Sequence, residues 1–198
     1  MSAGFKYDLV PHVEQEERYD VQTGIRRRGP YKLDTTNLTV GSSLPVFTPI
    51  YADLKNKFAY AVINVQVIEA YTTGDTALSI KVAKNSLAYK GMFIGSGKKG
   101  AEVDSIDKSN KDYDVLTIKA AFGENIAKDA VLFEATAVGG TKQKYIANSA
   151  LYNRTKVEDG IVLVALLRTA AEIEPSKLVM PFSENDKANL KGWFEFNE

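Results

Sequence analysis

Short stretches in which apolar and polar residues alternate follow one another from Leu44 onward. Residues 58–72 (FAYAVINVQVIEAYT) are rich in β-branched and aromatic side chains and predict the clearest strand. Alternation also predicts strands within residues 76–84, 114–122 and 130–138, with turn residues between them. Short strands spaced by about ten residues are typical of sandwiches and small barrels. We therefore expect a mainly β fold, a β-sandwich or a small β-barrel, with one or two short helices and an extended N-terminal arm.

The first 42 residues lack this alternation and any sustained amphipathic period. Gly29-Pro30 and Gly41 break the segment, and one helical turn is expected near residues 14–18. The pattern divides the chain into an extended N-terminal arm at 1–42 and a β-rich domain at 43–198. Residues 75–138 form a strand-rich middle portion of that domain.

Two features mark the last third of the chain. Residues 160–170 (GIVLVALLRTA) could form a strand or a short helix, and their β-branched residues favour a strand. Ser183 can cap a short helix whose first turn holds Glu184 and Asp186, because acidic groups suit the positive end of the helix dipole. We expect Gly192 to end this helix and WFEFN to form a final strand.

Composition narrows the possible functions. Lys plus Arg and Asp plus Glu both number 25, so the formal net charge is zero and the chain has no general attraction for nucleic acid or anionic membranes. There is no cysteine, which removes disulfides, thiolate catalysis and cysteine zinc sites, and the only histidine is His12. No apolar run is long enough to span a bilayer. We expect no nucleic-acid partner, no membrane partner, no metal and no cofactor.

The stretch IGSGKKGAEV contains Gly95, Gly97 and Gly100 in the order G-x-G-x-x-G. A dinucleotide fingerprint requires a helix directly after the glycines, but residues 101–107 alternate like a strand and carry three acids. We therefore predict a β-hairpin loop with Lys98 and Lys99 exposed at its tip.

Charged clusters offer weak chemical signals. The run DSIDKSNKDYD, which holds Asp104, Asp107, Asp112 and Asp114, lacks the glycine and the final glutamate of a calcium loop, so we predict a solvated turn. Acids such as Glu134, Glu172 and Glu174 show no catalytic spacing, so no catalytic residue is assigned.

The run Arg26-Arg27-Arg28 suits an acidic protein surface, because guanidinium groups pair with carboxylates through two hydrogen bonds. The candidate partner-binding residues are Tyr19, Arg26, Arg27, Arg28 and Tyr31.

Two segments resemble a known family. GSSLPVFTPIYADLKNKFAYAV and ANSALYNRTKVEDGIVLVALLRTAAEIEPSKL, followed by the capped helix and GWFEF, resemble the head decoration and head fiber proteins of tailed bacteriophages. The resemblance covers residues 43–70 and 144–198.

The resemblance implies a non-enzymatic virion protein, assembled in the bacterial cytoplasm and placed on the outer capsid surface. It also implies a homotrimer that binds the major capsid protein through its N-terminal arm.

The alternative is an adhesion or carbohydrate-binding module with host surface glycans as partners. We expect Tyr71, Tyr89 and Tyr113 to be exposed near predicted loops, and aromatic faces bind sugar rings, although such tyrosines also serve as core or interface residues. An enzyme would have to work with carboxylates alone.

Overall fold

A computed structural model describes residues 18–74 and 78–197. The described residues form many short strands, one 3-10 turn at Pro175–Lys177 and one α-helix, α1, at Glu184–Leu190. The strands are β1 Asp20–Arg26, β2 Tyr31–Leu33, β3 Ser43–Leu44, β4 Pro49–Asp53, β5 Phe58–Ala61, β6 Asn64–Gln66, β7 Ser79–Ala83, β8 Phe93–Gly95, β9 Gly100–Asp107, β10 Tyr113–Ile118, β11 Val131–Glu134, β12 Ser149–Leu151, β13 Thr155–Lys156, β14 Leu163–Val164, β15 Leu166–Ile173 and β16 Phe194–Phe196. The predicted mainly β fold is confirmed.

The larger sheet contains eight strands in the order β1-β15-β12-β4-β5-β2-β14, with β16 paired to β15 in parallel. A single residue, Ala165, connects β14 to β15. Because β12, β4, β5 and β2 lie between β15 and β14 in this order, a one-residue connection requires the sheet to curl back on itself. Its interior is filled by Tyr31, Leu33, Leu44, Ile50, Ala52, Ala59, Leu151, Val157, Val162, Val164 and Leu166.

The second sheet contains six strands in the order β6-β11-β8-β9-β10-β7, all antiparallel neighbours. A bridge between Val67 and Val82 joins the chain just after β6 to β7, so this sheet also curls. Strand β10 alternates between half-buried and buried positions, as its sequence predicts. All six strands lie in sequence between β5 and β12 of the larger sheet.

The segment predicted as one strand at residues 58–72 is two strands in different sheets. Strand β5 belongs to the larger sheet and β6 to the second sheet. Between them, Val62 is buried against Phe47 and Ala147, whereas Ile63 is buried in the core of the second sheet. Two consecutive apolar residues that enter different cores end one strand and begin the next.

The predicted C-terminal elements are confirmed. The Ser183 hydroxyl accepts a hydrogen bond from the Asp186 amide, and the Asp186 carboxylate accepts one from the Ser183 amide, which is a capping box. Gly192, at φ 87°, follows the helix and leads into β16. Residues 160–170 contribute β14 and the first part of β15, so the strand prediction was correct there.

Part of the predicted N-terminal arm pairs within the chain's own larger sheet. Strand β1 pairs with β15, and β2 lies between β5 and β14. Strand β2 also buries Tyr31 and Leu33 in the core. Of the helical turn expected near residues 14–18, only Arg18 is described, and it has no helical conformation; His12 lies outside the described residues.

Among the described residues, no helix combines the length and the apolar character needed to cross a membrane.

Candidate partner-binding surface

The three arginines of the run 26–28 have different surroundings. Arg26 ends β1, and Arg28 precedes the turn at Gly29, where φ is 83°. Both side chains are exposed, and Arg26 lies over the Tyr152 ring with its guanidinium carbon 5.1 Å from the ring centroid. These two residues can reach a partner.

Arg27 instead holds the chain together. Its Nε donates to the Ser149 hydroxyl at 2.5 Å, and its Nη2 donates to the Asn148 carbonyl oxygen at 2.7 Å. Burial lowers the pKa of the Arg27 guanidinium, partly offset by the nearby Tyr31. The structure thus gives Arg27 internal hydrogen bonds within the larger sheet.

The two tyrosines predicted as partner contacts also pack inside the chain. Tyr31 is buried, and the Lys57 ammonium lies 4.8 Å from its ring centroid. Tyr19 is half-buried, with its ring 5.1 Å from that of Phe47, and burial raises its pKa. Tyr31 therefore belongs to the core, and Tyr19 packs against it.

Folding adds residues that the sequence pattern did not single out. Arg154 and Lys156, near β13, lie beside Arg26 and Arg28 in one open groove. Ile161 and Leu163, with 73% and 60% exposure, form its apolar wall. We call this surface, made of Arg26, Arg28, Arg154, Lys156, Ile161 and Leu163, the arginine groove. In the sequence, the two closely spaced basic residues of NRTK at 153–156, Arg154 and Lys156, were the feature that could have indicated this surface.

The arginine groove is strongly cationic. Among the described residues that line it, the only acid is Glu158. Guanidinium groups beside exposed aliphatic side chains resemble the composition of protein interfaces, where arginine is enriched. This surface can therefore form paired hydrogen bonds with carboxylates and bury apolar contacts around them.

The acidic run at 104–114 is only partly the predicted solvated turn. Asp107 and Asp112 are exposed, and hydrogen bonds from Ser109 lower the pKa of Asp107. Asp114 is instead fully buried, with one carboxylate oxygen 2.9 Å from the Lys84 ammonium. The prediction was wrong for Asp114 because β10 turns this position inward. No cluster of three potential metal ligands occurs within residues 18–74 and 78–197.

The glycine-rich stretch is the predicted hairpin. Strands β8 and β9 pair in antiparallel register, and the exposed Lys98 and Lys99 lie in the turn between them. The glycines also have a function that the sequence did not reveal. A Cβ added at Gly100 would lie 2.5 Å from the Gly140 Cα, and the Gly97 amide donates to the Gly140 carbonyl oxygen at 3.0 Å. The stretch is a site of close backbone packing.

The tyrosines considered for glycan binding are partly enclosed. Tyr71 is buried, so the expectation that it is exposed was wrong. The Tyr89 hydroxyl donates to Glu134 at 2.5 Å, and Tyr113 lies under the Lys81 ammonium, 5.4 Å from the ring centroid.

A different aromatic cluster lies on the larger sheet. The rings of Tyr60 and Tyr145 stack at 4.7 Å, and Tyr51 stacks on Tyr145 at 5.4 Å. These rings cover one another's faces, which leaves less area for stacking on a sugar ring.

Comparison with known proteins gives one family. A family model described as head fiber protein of bacteriophages matches residues 1–195. No curated protein and no solved structure matches the chain.

Proposed function

The chain belongs to the bacteriophage head fiber family and is therefore a structural virion protein, and we propose that it attaches to the outer surface of the phage capsid through the arginine groove. Its role is binding rather than catalysis. The proposed partner is the major capsid protein, which would present carboxylate side chains to the groove.

The observation that carries this proposal is the convergence of Arg26, Arg28, Arg154 and Lys156 on one open surface. The arginines come from two distant parts of the chain, and Arg26 is held in place by the Tyr152 ring. Positioned guanidinium groups lose less side-chain freedom on binding than scattered lysines. Because the chain has no net charge, a local cationic patch of this kind can direct where an acidic surface docks.

Attachment can be measured by sedimentation of the protein with heads assembled without it. We expect Arg28→Gln with Arg154→Gln to weaken binding by about tenfold or more, because two charge-assisted contacts are lost. Lys98→Gln with Lys99→Gln is the matched control, since it also removes two exposed charges and should bind as wild type. Equal affinity of both double variants, or no binding of wild type to heads, would refute the proposal.

Self-association as a homotrimer is the second part of the proposal. Its structural support is β1, an edge strand of the larger sheet that exposes the apolar side chains of Val21 and Ile25. We expect Val21→Lys with Ile25→Lys to lower the mass measured by analytical ultracentrifugation, whereas Val40→Lys, equally exposed but outside the strands, leaves it unchanged. A wild-type monomer at micromolar concentration would contradict this part.

A further inference from the structure

A second cationic depression lies between the second sheet and the short antiparallel pair of β3 and β13. One wall comes from the second sheet, where residues 84–87 follow β7 and Lys108 follows β9. The other wall comes from Arg18, residues 41–43, Pro45, Val46 and Arg154. We call this depression the inter-sheet cleft.

The Lys84 ammonium group already has its partners inside the chain. It pairs with the buried Asp114 and donates to the carbonyl oxygens of Lys108 and Asn110, each at 2.7 Å. Asp114 is the only acid among the described residues that line the cleft, and Lys84 neutralises it. The remaining charges belong to Arg18, Lys108 and Arg154, so the cleft keeps an excess of positive charge.

Ser86 adds an independent sign of a ligand. The residue is 5% exposed, and its buried hydroxyl has no hydrogen-bond partner in the part of the chain that the structure describes. The Ser86 amide and carbonyl groups are held by Asp114 and by Lys108. A buried polar group without a partner is costly, so a ligand oxygen that accepts from this hydroxyl would gain a hydrogen bond that the free protein lacks.

The inter-sheet cleft continues the arginine groove. Arg154 lines both, so one band of cationic groups extends from Arg28 past Arg154 toward Lys108. The cleft walls also include Pro45, Val46, Leu87 and Val179, which offer apolar contact around the charges. An extended chain that carries carboxylates at intervals fits this alternation of charge and apolar surface.

We propose that the inter-sheet cleft binds a carboxylate side chain of an acidic polypeptide segment, with Ser86, Lys108, Arg18 and Arg154 as its contacts. The proposal rests on the proposed function, since the segment belongs to the capsid partner and also occupies the arginine groove. A polypeptide is favoured over nucleic acid because the exposed apolar side chains of Ile161 and Leu163 line the same band. A polypeptide can place its own apolar side chains against them, whereas a phosphate backbone would gain nothing from this contact.

The test uses the full chain and an acetylated oligoglutamate peptide, with affinity measured by isothermal titration calorimetry at low salt. We expect Ser86→Ala to leave the urea midpoint of unfolding unchanged while weakening peptide binding by about fivefold, because its hydroxyl has no partner in the free protein. Arg18→Gln with Lys108→Gln should weaken binding by about tenfold or more. Lys111→Gln, an exposed lysine of the same β9–β10 loop, is the control and should bind as wild type.

Several results would overturn the proposal. If Ser86→Ala and Arg18→Gln with Lys108→Gln both bind the peptide as tightly as wild type, the cleft is not the binding site. If the wild-type protein binds a short single-stranded oligodeoxynucleotide more tightly than the peptide, the ligand is not a polypeptide. Head binding measured in parallel separates the two proposals. If the cleft variants lose peptide affinity but the wild-type protein does not bind heads, the capsid role alone is refuted. If the wild-type protein binds heads and the cleft variants bind them equally well, the role of the cleft alone is refuted.

Discussion

The carboxylate of Asp186 is the most heavily hydrogen-bonded buried group described in the chain. It is fully buried in the first turn of α1. Its oxygens accept hydrogen bonds from the Asn64 amide at 2.7 Å, the Gln143 amide at 3.0 Å, the Ala147 backbone at 2.7 Å, and the Ser183 backbone and hydroxyl at 3.0 and 2.7 Å. Asn64 begins β6 of the second sheet, so this carboxylate ties that sheet to the C-terminal helix.

The change Asp186→Asn keeps the side-chain volume but replaces one acceptor oxygen with a donor. Oδ1 accepts two of the bonds and Oδ2 three, so either orientation of the amide leaves at least two buried donors unpaired. A hydrogen bond to a charged group contributes about 1.5–3 kcal/mol. We therefore expect the free energy of unfolding to fall by about 3–5 kcal/mol.

Urea unfolding followed by tryptophan fluorescence measures this loss, because Trp193 lies just after the helix. With a denaturant slope of about 2 kcal/mol per molar urea, the midpoint should fall by about 2 M. Glu184→Gln is the matched control, since it removes a carboxylate from the same helical turn. The Glu184 side chain is 87% exposed and, among the described residues, pairs only with Lys187. Its effect should stay within about 0.5 kcal/mol. A loss below about 1 kcal/mol in Asp186→Asn, or equal losses in both variants, would refute the reasoning.

Three further changes test other parts of the fold. Lys84→Met should destabilise the protein by about 3 kcal/mol in urea unfolding, because it leaves the buried Asp114 carboxylate without its cation; a change below about 1 kcal/mol would contradict this. Gly140→Ala should lower the free energy of unfolding by about 3 kcal/mol, because φ at Gly140 is 63° and the added Cβ would lie 2.5 Å from the Gly100 Cα. Gly139→Ala is the control and should be nearly neutral, because its Cβ would meet no atom within 4 Å. Equal melting temperatures of the two variants would show that the close packing is unimportant. Burial and, after it, the Glu134 carboxylate raise the pKa of Tyr89, so the neutral phenol stabilises the fold below the unfolded pKa of about 10 and this contribution is lost as pH rises above that value. The urea midpoint should therefore fall more steeply above about pH 10 in wild type than in Tyr89→Phe. An identical pH dependence of the midpoint in both proteins would refute the shifted pKa of Tyr89.

The hydrophobic pattern predicted most strands because alternation along a strand reports which side chains face a core. It predicted the capped helix as well, since the Ser183 capping box needs only groups within one helical turn. The hairpin at Gly95–Gly100 was predictable for the same reason, as its turn is local. In each case the decisive interactions lie within a few residues of one another in the sequence.

The candidate surfaces were less predictable. Arg26 and Arg28 were recognisable from their run, but Arg154 and Lys156 join them only through the tertiary fold, in which β13 pairs with β3 and β14 pairs with β2. Likewise, the sequence around Asp114 reads as a solvated turn, and only the packing of β10 beside β7 brings Lys84 to its carboxylate.

By itself, then, the sequence determined the strand-rich architecture, the position of the helix and the absence of any net charge. The tertiary structure decided which strands share a sheet, as at Val62 and Ile63, which are neighbours in the chain but are buried in different cores. The physical reason is that periodicity specifies which face of a strand leaves water but not what it packs against. That choice depends on contacts between distant segments, and the same contacts assemble the arginine groove and the inter-sheet cleft.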